Sequence, residues 1–156
     1  MTSSVSRRRL LTYAGPAAAA VALAGCGIGR RVLVCRHQRT GEVYAELPIT
    51  AESEITHSWI HSIELSRWTD VYRVHGEGLL LVATSFQEYG AGMPLDEGDV
   101  SLRDGRVVIE NIDRPFEAIR WMHSHRVDYR IGVDGHDDLI DTLRLPDKEP
   151  LELRPQ

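Results

Sequence analysis

The chain has 156 residues, with 18 Lys and Arg against 23 Asp and Glu and a formal net charge of −5. That length suits one domain with a real hydrophobic core. An acidic balance with a single lysine, Lys148, argues against a nucleic-acid binder built on basic patches.

Residues 1–25 read as a targeting segment. Ser6-Arg7-Arg8-Arg9-Leu10-Leu11 has the form of a twin-arginine export signal. Leu10 to Ala24 follows as a mild, Ala-rich apolar stretch, too short for a stable membrane span. Leu23-Ala24-Gly25-Cys26 then matches a lipobox, in which the Cys26 thiol takes a diacylglycerol. The segment carries three arginines and no acid, so its removal takes the formal charge from −5 to −8. The expected protein is exported and lipid-anchored on the outer face of the cytoplasmic membrane. Residues 26–30 form a short tether, in which Arg30 together with Arg31 either meets lipid headgroups or is simply solvated. With Cys26 acylated, Cys35 is the one remaining thiol, and its place in a strand predicts a buried, inert residue.

The predicted domain spans 31–145 and is all-β. Arg31 to Arg36 and Gly41 to Pro48 are the first two strands. Ile55 to Leu65 is the third, its odd positions apolar, aromatic or His and its even positions mostly polar. Asp70 to Val74 and Leu79 to Phe86 form a hairpin around Gly76-Glu77-Gly78. Gly90-Ala-Gly92-Met-Pro94 ends that run. Leu95 to Asp104 reads as an acidic loop, and Arg106 to Ile112 as a strand after the Asp104-Gly105 turn. Asp113 to His123 fits either a helix capped by Asp113 or a strand near Phe116 to Met122, and its neighbours favour the strand. Arg126 to Val133, the Asp134-Gly135 turn and Leu139 to Leu143 read as a further hairpin. Residues 146–156 read as a polar, proline-punctuated tail. About eight short strands with turn signals predict a small antiparallel sandwich or open barrel.

Three ordered segments carry a family resemblance. They are His61-Ser62-Ile63-Glu64, Asp70-Val71-Tyr72-Arg73-Val74, and Phe86 to Pro94 with Gly90-Ala-Gly92 inside it. Together they resemble the domain-of-unknown-function 1850 family. Ile63 replaces the usual valine, Asp70 stands where glutamate is common, and Trp68-Thr69 stands where a Pro-Val pair is common. The resemblance implies an exported or membrane-associated accessory protein, often encoded with TAXI-type TRAP transporters. It implies no established activity.

The candidate site follows from the expected meander. His61, Ser62 and Glu64 close one strand, Asp70 opens the next, and Gly90 and Gly92 end the third. All then meet at one sheet edge, as a mixture of acceptors, an imidazole and free backbone N–H groups suited to a small polar ligand or a partner loop. Gly90-Ala-Gly92 offers backbone N–H groups to an anion, and Arg67 or Arg73 would add charge to such a site, though nothing in the sequence places them there. His61 and Ser62 point to opposite faces of a strand, and no nucleophile elbow is present, so an enzyme is not expected. The bland reading makes His61 a satisfied, semi-buried residue with Glu64 at the rim. His57 and His61 are ~13 Å apart on a strand, too far to share an ion. His123 and His125 share a strand face, with His136, Asp137 and Asp138 as remote helpers, yet turn chemistry explains them better. No metal or cofactor is assigned. The expected role is an accessory protein that binds a small polar ligand or the transporter's substrate-binding component. The alternatives are a hydrolase or metal-dependent enzyme centred on His61 and Glu64, and a structural envelope lipoprotein.

Overall fold

The computed structural model describes residues 31–87 and 97–156. Ten strands run through them: β1 (Arg31–His37), β2 (Val43–Ile49), β3 (Glu54–Ile60), β4 (Arg67–His75), β5 (Gly78–Phe86), β6 (Asp99–Arg103), β7 (Arg106–Phe116), β8 (Ile119–Met122), β9 (Arg130–Val133) and β10 (Pro150–Pro155). They form two antiparallel sheets, one of four strands in the order β2-β1-β10-β8 and one of six in the order β6-β7-β5-β4-β3-β9. Neither sheet closes on itself, so the architecture is an all-β sandwich rather than a barrel.

Period-two alternation builds the core. Leu33 and Cys35 of β1, Leu79 and Leu81 of β5, Val107 and Ile109 of β7, and Leu151 and Leu153 of β10 are buried on the inner faces. Each such side chain contributes about 1.5–3 kcal/mol through burial. Cys35 is fully enclosed, and burial pushes its thiol up to about 12, so it packs as an inert apolar group.

β5 changes phase midway. Ala83 pairs with Val71 but Leu81 pairs with Tyr72, which leaves Val82 as an extra residue. Before this bulge the odd residues Leu79 and Leu81 point inward, and after it the even residues Thr84 and Phe86 do. Thr84 is thereby set beside Asp70 on the inner face. The hairpin turn before β5 is tight, and a Cβ at Gly78 would lie 2.5 Å from the Phe116 carbonyl oxygen.

Five sequence expectations need correction. The strand expected over Arg126 to Val133 begins only at Arg130, because the chain first makes a 3-10 turn at His125–Val127 and Asp128 takes a φ of 44°. β3 ends at Ile60, not Leu65. The His61 N–H donates to the Ser66 carbonyl, the Leu65 N–H donates to the His61 carbonyl, and Leu65 takes a φ of 52°. That turn leaves Ile63 84% and Leu65 77% exposed, so neither lines the core. The expected return strand at Leu139 to Leu143 is absent; after the Val133–His136 bridge, Asp138 at φ 55° redirects the chain into a short 3-10 turn at Thr142–Arg144. The acidic loop contains β6, an exposed edge strand whose lack of a buried face removes the alternation signal. The supposed C-terminal tail contains β10, which lies between β1 and β8. Its prolines sit at the first and last positions, where they do not interrupt the strand interior.

Candidate functional site

A polar row crosses the middle of the six-stranded sheet. In register it runs Ile131 of β9, His57 of β3, Asp70 of β4, Thr84 of β5 and Ile109 of β7. The next row is aromatic: Trp59 pairs with Trp68, and Trp68 packs on Phe86 with ring centroids 4.5 Å apart. Trp121 of β8 and Tyr129, just before β9, close over these rows from the other side. The His57 ring lies 5.0 Å from Trp121 and 5.4 Å from both Trp59 and Tyr129.

A pocket of about 180 Å³ opens among these groups, lined by His57, Trp59, Asp70, Tyr72, Trp121 and Tyr129 together with Ile119 and Arg120. Its polar chemistry centres on Asp70. Thr84 Oγ1 donates to Asp70 Oδ1 at 2.7 Å and Trp68 Nε1 donates to the same oxygen at 3.2 Å. The Tyr72 hydroxyl donates to Oδ2 at 3.3 Å. Trp68 Nε1 also reaches Thr84 Oγ1 at 2.8 Å, which locks the network. Among the described residues no Lys, Arg or His forms an ion pair with Asp70. Burial raises its pKa, and the three donors, with a smaller contribution from the Arg114 charge, oppose that shift without cancelling it. Burial, reinforced by Asp70, also raises the Tyr72 phenol, so Tyr72 stays a donor.

His57 is 3% exposed, and its Nε2 has no hydrogen-bond partner among the described residues. Burial, with a smaller contribution from His123, lowers its pKa to about 3, so the ring is neutral at ordinary pH. His123 is fixed by its partners. Trp121 Nε1 donates to His123 Nδ1 at 3.2 Å, so the ring proton lies on Nε2 and points at the Thr142 carbonyl, 2.9 Å away. His125 Nε2 is likewise 2.8 Å from the Leu145 carbonyl. These two histidines tie the Thr142–Leu145 segment to the end of β8, and the described residues contain no cluster of three or more His, Cys, Asp or Glu arranged for a metal.

The residues predicted from sequence divide into two places. His61 and Glu64 share the β3–β4 turn, with His61 Nδ1 3.8 Å from Glu64 Oε2. Glu64 Oε2 and Ser66 Oγ are buried without partners among the described residues, and Ser62 is exposed. Asp70 lies deeper, opposite His57, and reaches the turn only through Trp68, whose ring is 5.6 Å from His61. Gly90, Gly92 and Cys26 lie outside the described residues. Arg67 is committed to Asp128 and to Ser58 Oγ, and Arg73 is exposed beside Glu54. Sequence reasoning weighed His57 only as a metal ligand beside His61, and passed over Thr84, Trp121 and Tyr129. One signal was present: all three tryptophans of the chain, Trp59, Trp68 and Trp121, line or abut this pocket.

Thr84 Oγ1 is engaged as both donor and acceptor, and no hydroxyl or thiol at the pocket is hydrogen-bonded to a histidine among the described residues. Neither a curated protein nor a solved structure matches the chain. A family profile does, over residues 55–139, from β3 through β9 and so across the whole six-stranded sheet and the pocket floor. With more than half of its length matched, the chain belongs to the family described as domain of unknown function (DUF1850).

Proposed function

We propose that this protein is a lipid-anchored, extracytoplasmic accessory protein of a TAXI-type TRAP transport system, and that it holds a small polar ligand between its two sheets without transforming it. The observation that carries the ligand reading is the 180 Å³ pocket, into which a carboxylate without a counter-ion and a buried, unpartnered imidazole nitrogen are built. Stability alone favours neither feature, since an unmatched buried polar atom costs about 1–3 kcal/mol.

The anchored reading rests on the basic start, the apolar stretch and the lipobox ending at Cys26. From there to Arg31, where β1 begins, the chain reaches at most ~18 Å. The Arg31 guanidinium donates to the Gly76 carbonyl at the β4–β5 turn. Asp70 lies six residues from that turn, ~20 Å along β4, so the pocket stands clear of the tethered end. A second reading, contact with the substrate-binding component, is favoured by the exposure of Ile63 and Leu65 on the opposite turn.

The test is transporter-dependent uptake in cells lacking the protein and complemented with wild type, Asp70→Asn or Ile63→Ser/Leu65→Ser. Loss of uptake with Asp70→Asn alone supports the pocket; loss with the double variant alone supports the contact surface. Uptake indifferent to deletion of the protein contradicts the transport role.

A further inference from the structure

The pocket's polarity leans towards acceptors. The side-chain hydrogens of Trp68, Thr84 and Tyr72 are spent on Asp70, that of Trp121 on His123, and the Tyr129 hydroxyl points at the Met122 carbonyl, 3.3 Å away; the Trp59 indole N–H alone has no acceptor among the described residues. Two acceptors remain. Asp70 Oδ2 accepts one long hydrogen bond, from Tyr72 at 3.3 Å, and so retains a free lone pair. His57 Nε2 has no hydrogen-bond partner among the described residues, and in the tautomer protonated at Nδ1 it is the second acceptor. The one positive residue on the lining, Arg120, is held by Glu152, with Nε 2.9 Å from Oε2. The remaining wall is aromatic, and aromatic faces carry negative potential.

Resting on the ligand reading above, we infer that the pocket takes a small organic cation with N–H donors, a primary alkylammonium. Its N–H groups go to Asp70 Oδ2 and His57 Nε2, and its carbon chain lies against Trp59, Trp121 and Tyr129. This arrangement gives Asp70 an ion-pair partner and His57 Nε2 a hydrogen-bond partner, neither of which the described residues supply. A ligand donor also fixes the His57 proton on Nδ1. A volume of 180 Å³ corresponds to about six waters at ~30 Å³ each. An ammonium ion with a chain of a few carbons fits that space. An organic anion meets Asp70 and the ring faces with the wrong sign.

The three tryptophans make the site its own reporter. Full-length protein, purified from membranes in detergent, is titrated with n-butylammonium, n-butyrate and n-butanol at matched ionic strength, following tryptophan fluorescence. The expected result is a saturable change with butylammonium and at least about tenfold weaker responses to the other two, a tenfold ratio being 1.4 kcal/mol of discrimination. Asp70→Asn is expected to weaken the amine by about tenfold or more while circular dichroism is unchanged. Should that variant not fold, Trp59→Leu, which removes none of the donors to Asp70, is expected to weaken the amine several-fold. If butyrate binds as well as butylammonium, or the folded variants bind the amine like wild type, the cation assignment is overturned and the ligand pocket stands. If none of the three probes changes fluorescence at millimolar concentration, both the assignment and the pocket reading fall.

Discussion

Asp70 sets the cost of burying a carboxyl against its proposed use in holding a ligand. Burial raises its pKa despite donors from Thr84, Trp68 and Tyr72. A carboxyl whose folded pKa is raised contributes stability below its unfolded value of ~3.9 and loses it as pH rises through the folded value. At neutral pH the charged form is therefore a burden on the fold. Asp70→Asn keeps an acceptor for Thr84 and Trp68 and removes that charge. Its melting temperature at neutral pH is expected to equal or exceed wild type by a few degrees, where about 1 kcal/mol corresponds to ~4 °C. A clear drop by calorimetry would show that the charged hydrogen bonds outweigh desolvation. His57 titrates with the opposite sign. Its folded pKa, about 3, lies below the ordinary 6.5, so its stability is complete above pH 6.5 and is lost as pH falls towards 3. The lowered His123 acts in the same direction, and Asp70 on the neighbouring strand opposes both. His57→Phe retains the ring packing and removes the titration. The fall in melting temperature between pH ~7.5 and ~4.5 is expected to be smaller in this variant than in wild type. Parallel curves would place the acid sensitivity elsewhere.

At the scale of elements, the all-β class, the β4–β5 hairpin and most strand positions were legible, because alternation and Gly or Asp turns are local signals. The pocket was not. His57, Asp70 and Thr84 are 13 and 14 positions apart, and only strand register and the extra residue Val82 bring them into one row. The bulge is silent in LLLVATSF, an apolar run that permits either phase. β10 was hidden for another reason: Leu151 and Leu153 are its only aliphatic residues, between terminal prolines. Both leucines are fully buried, so Leu153→Ala is expected to cost about 2–5 kcal/mol, measured by urea unfolding. A cost below ~1 kcal/mol would contradict a central place for this strand. The β3–β4 turn was misread as strand, yet it does gather His61 with Glu64. His61→Ala and Glu64→Gln are expected to hold the melting temperature within a few degrees, about 1 kcal/mol or less, and to reduce transporter-dependent uptake. Unfolding of both would make the turn purely structural.

For the molecule as a whole, the family-matched region and the fold do not coincide. Residues 55–139 supply the six-stranded sheet and β8, while β1, β2 and β10 complete the second sheet from outside that span. Glu152 of β10 ties those added strands to the matched part. It binds Arg36 of β1 at 2.7 Å and Arg120 of β8 at 2.9 Å, in one row across three strands. Because β1 is also the first strand after the tether, the same sheet that roofs the pocket links the domain to its proposed anchor. Cys26→Ala is expected to move the protein from the membrane fraction to a soluble or unprocessed form. A wild-type protein released by salt alone would contradict lipid anchoring, since two acyl chains hold stably where one binds marginally.

The central claim is that the space between the sheets is a ligand site, and the indole N–H signals of the three tryptophans test it most directly. In a two-dimensional NMR titration of the full-length protein with butylammonium, Trp59 and Trp121, which line the pocket, are expected to shift together and saturate. Trp68, bonded to Asp70 from the adjoining row, is expected to follow with a smaller shift. Indole signals that stay fixed with this amine and with butyrate and butanol, while the protein remains folded, would contradict the account.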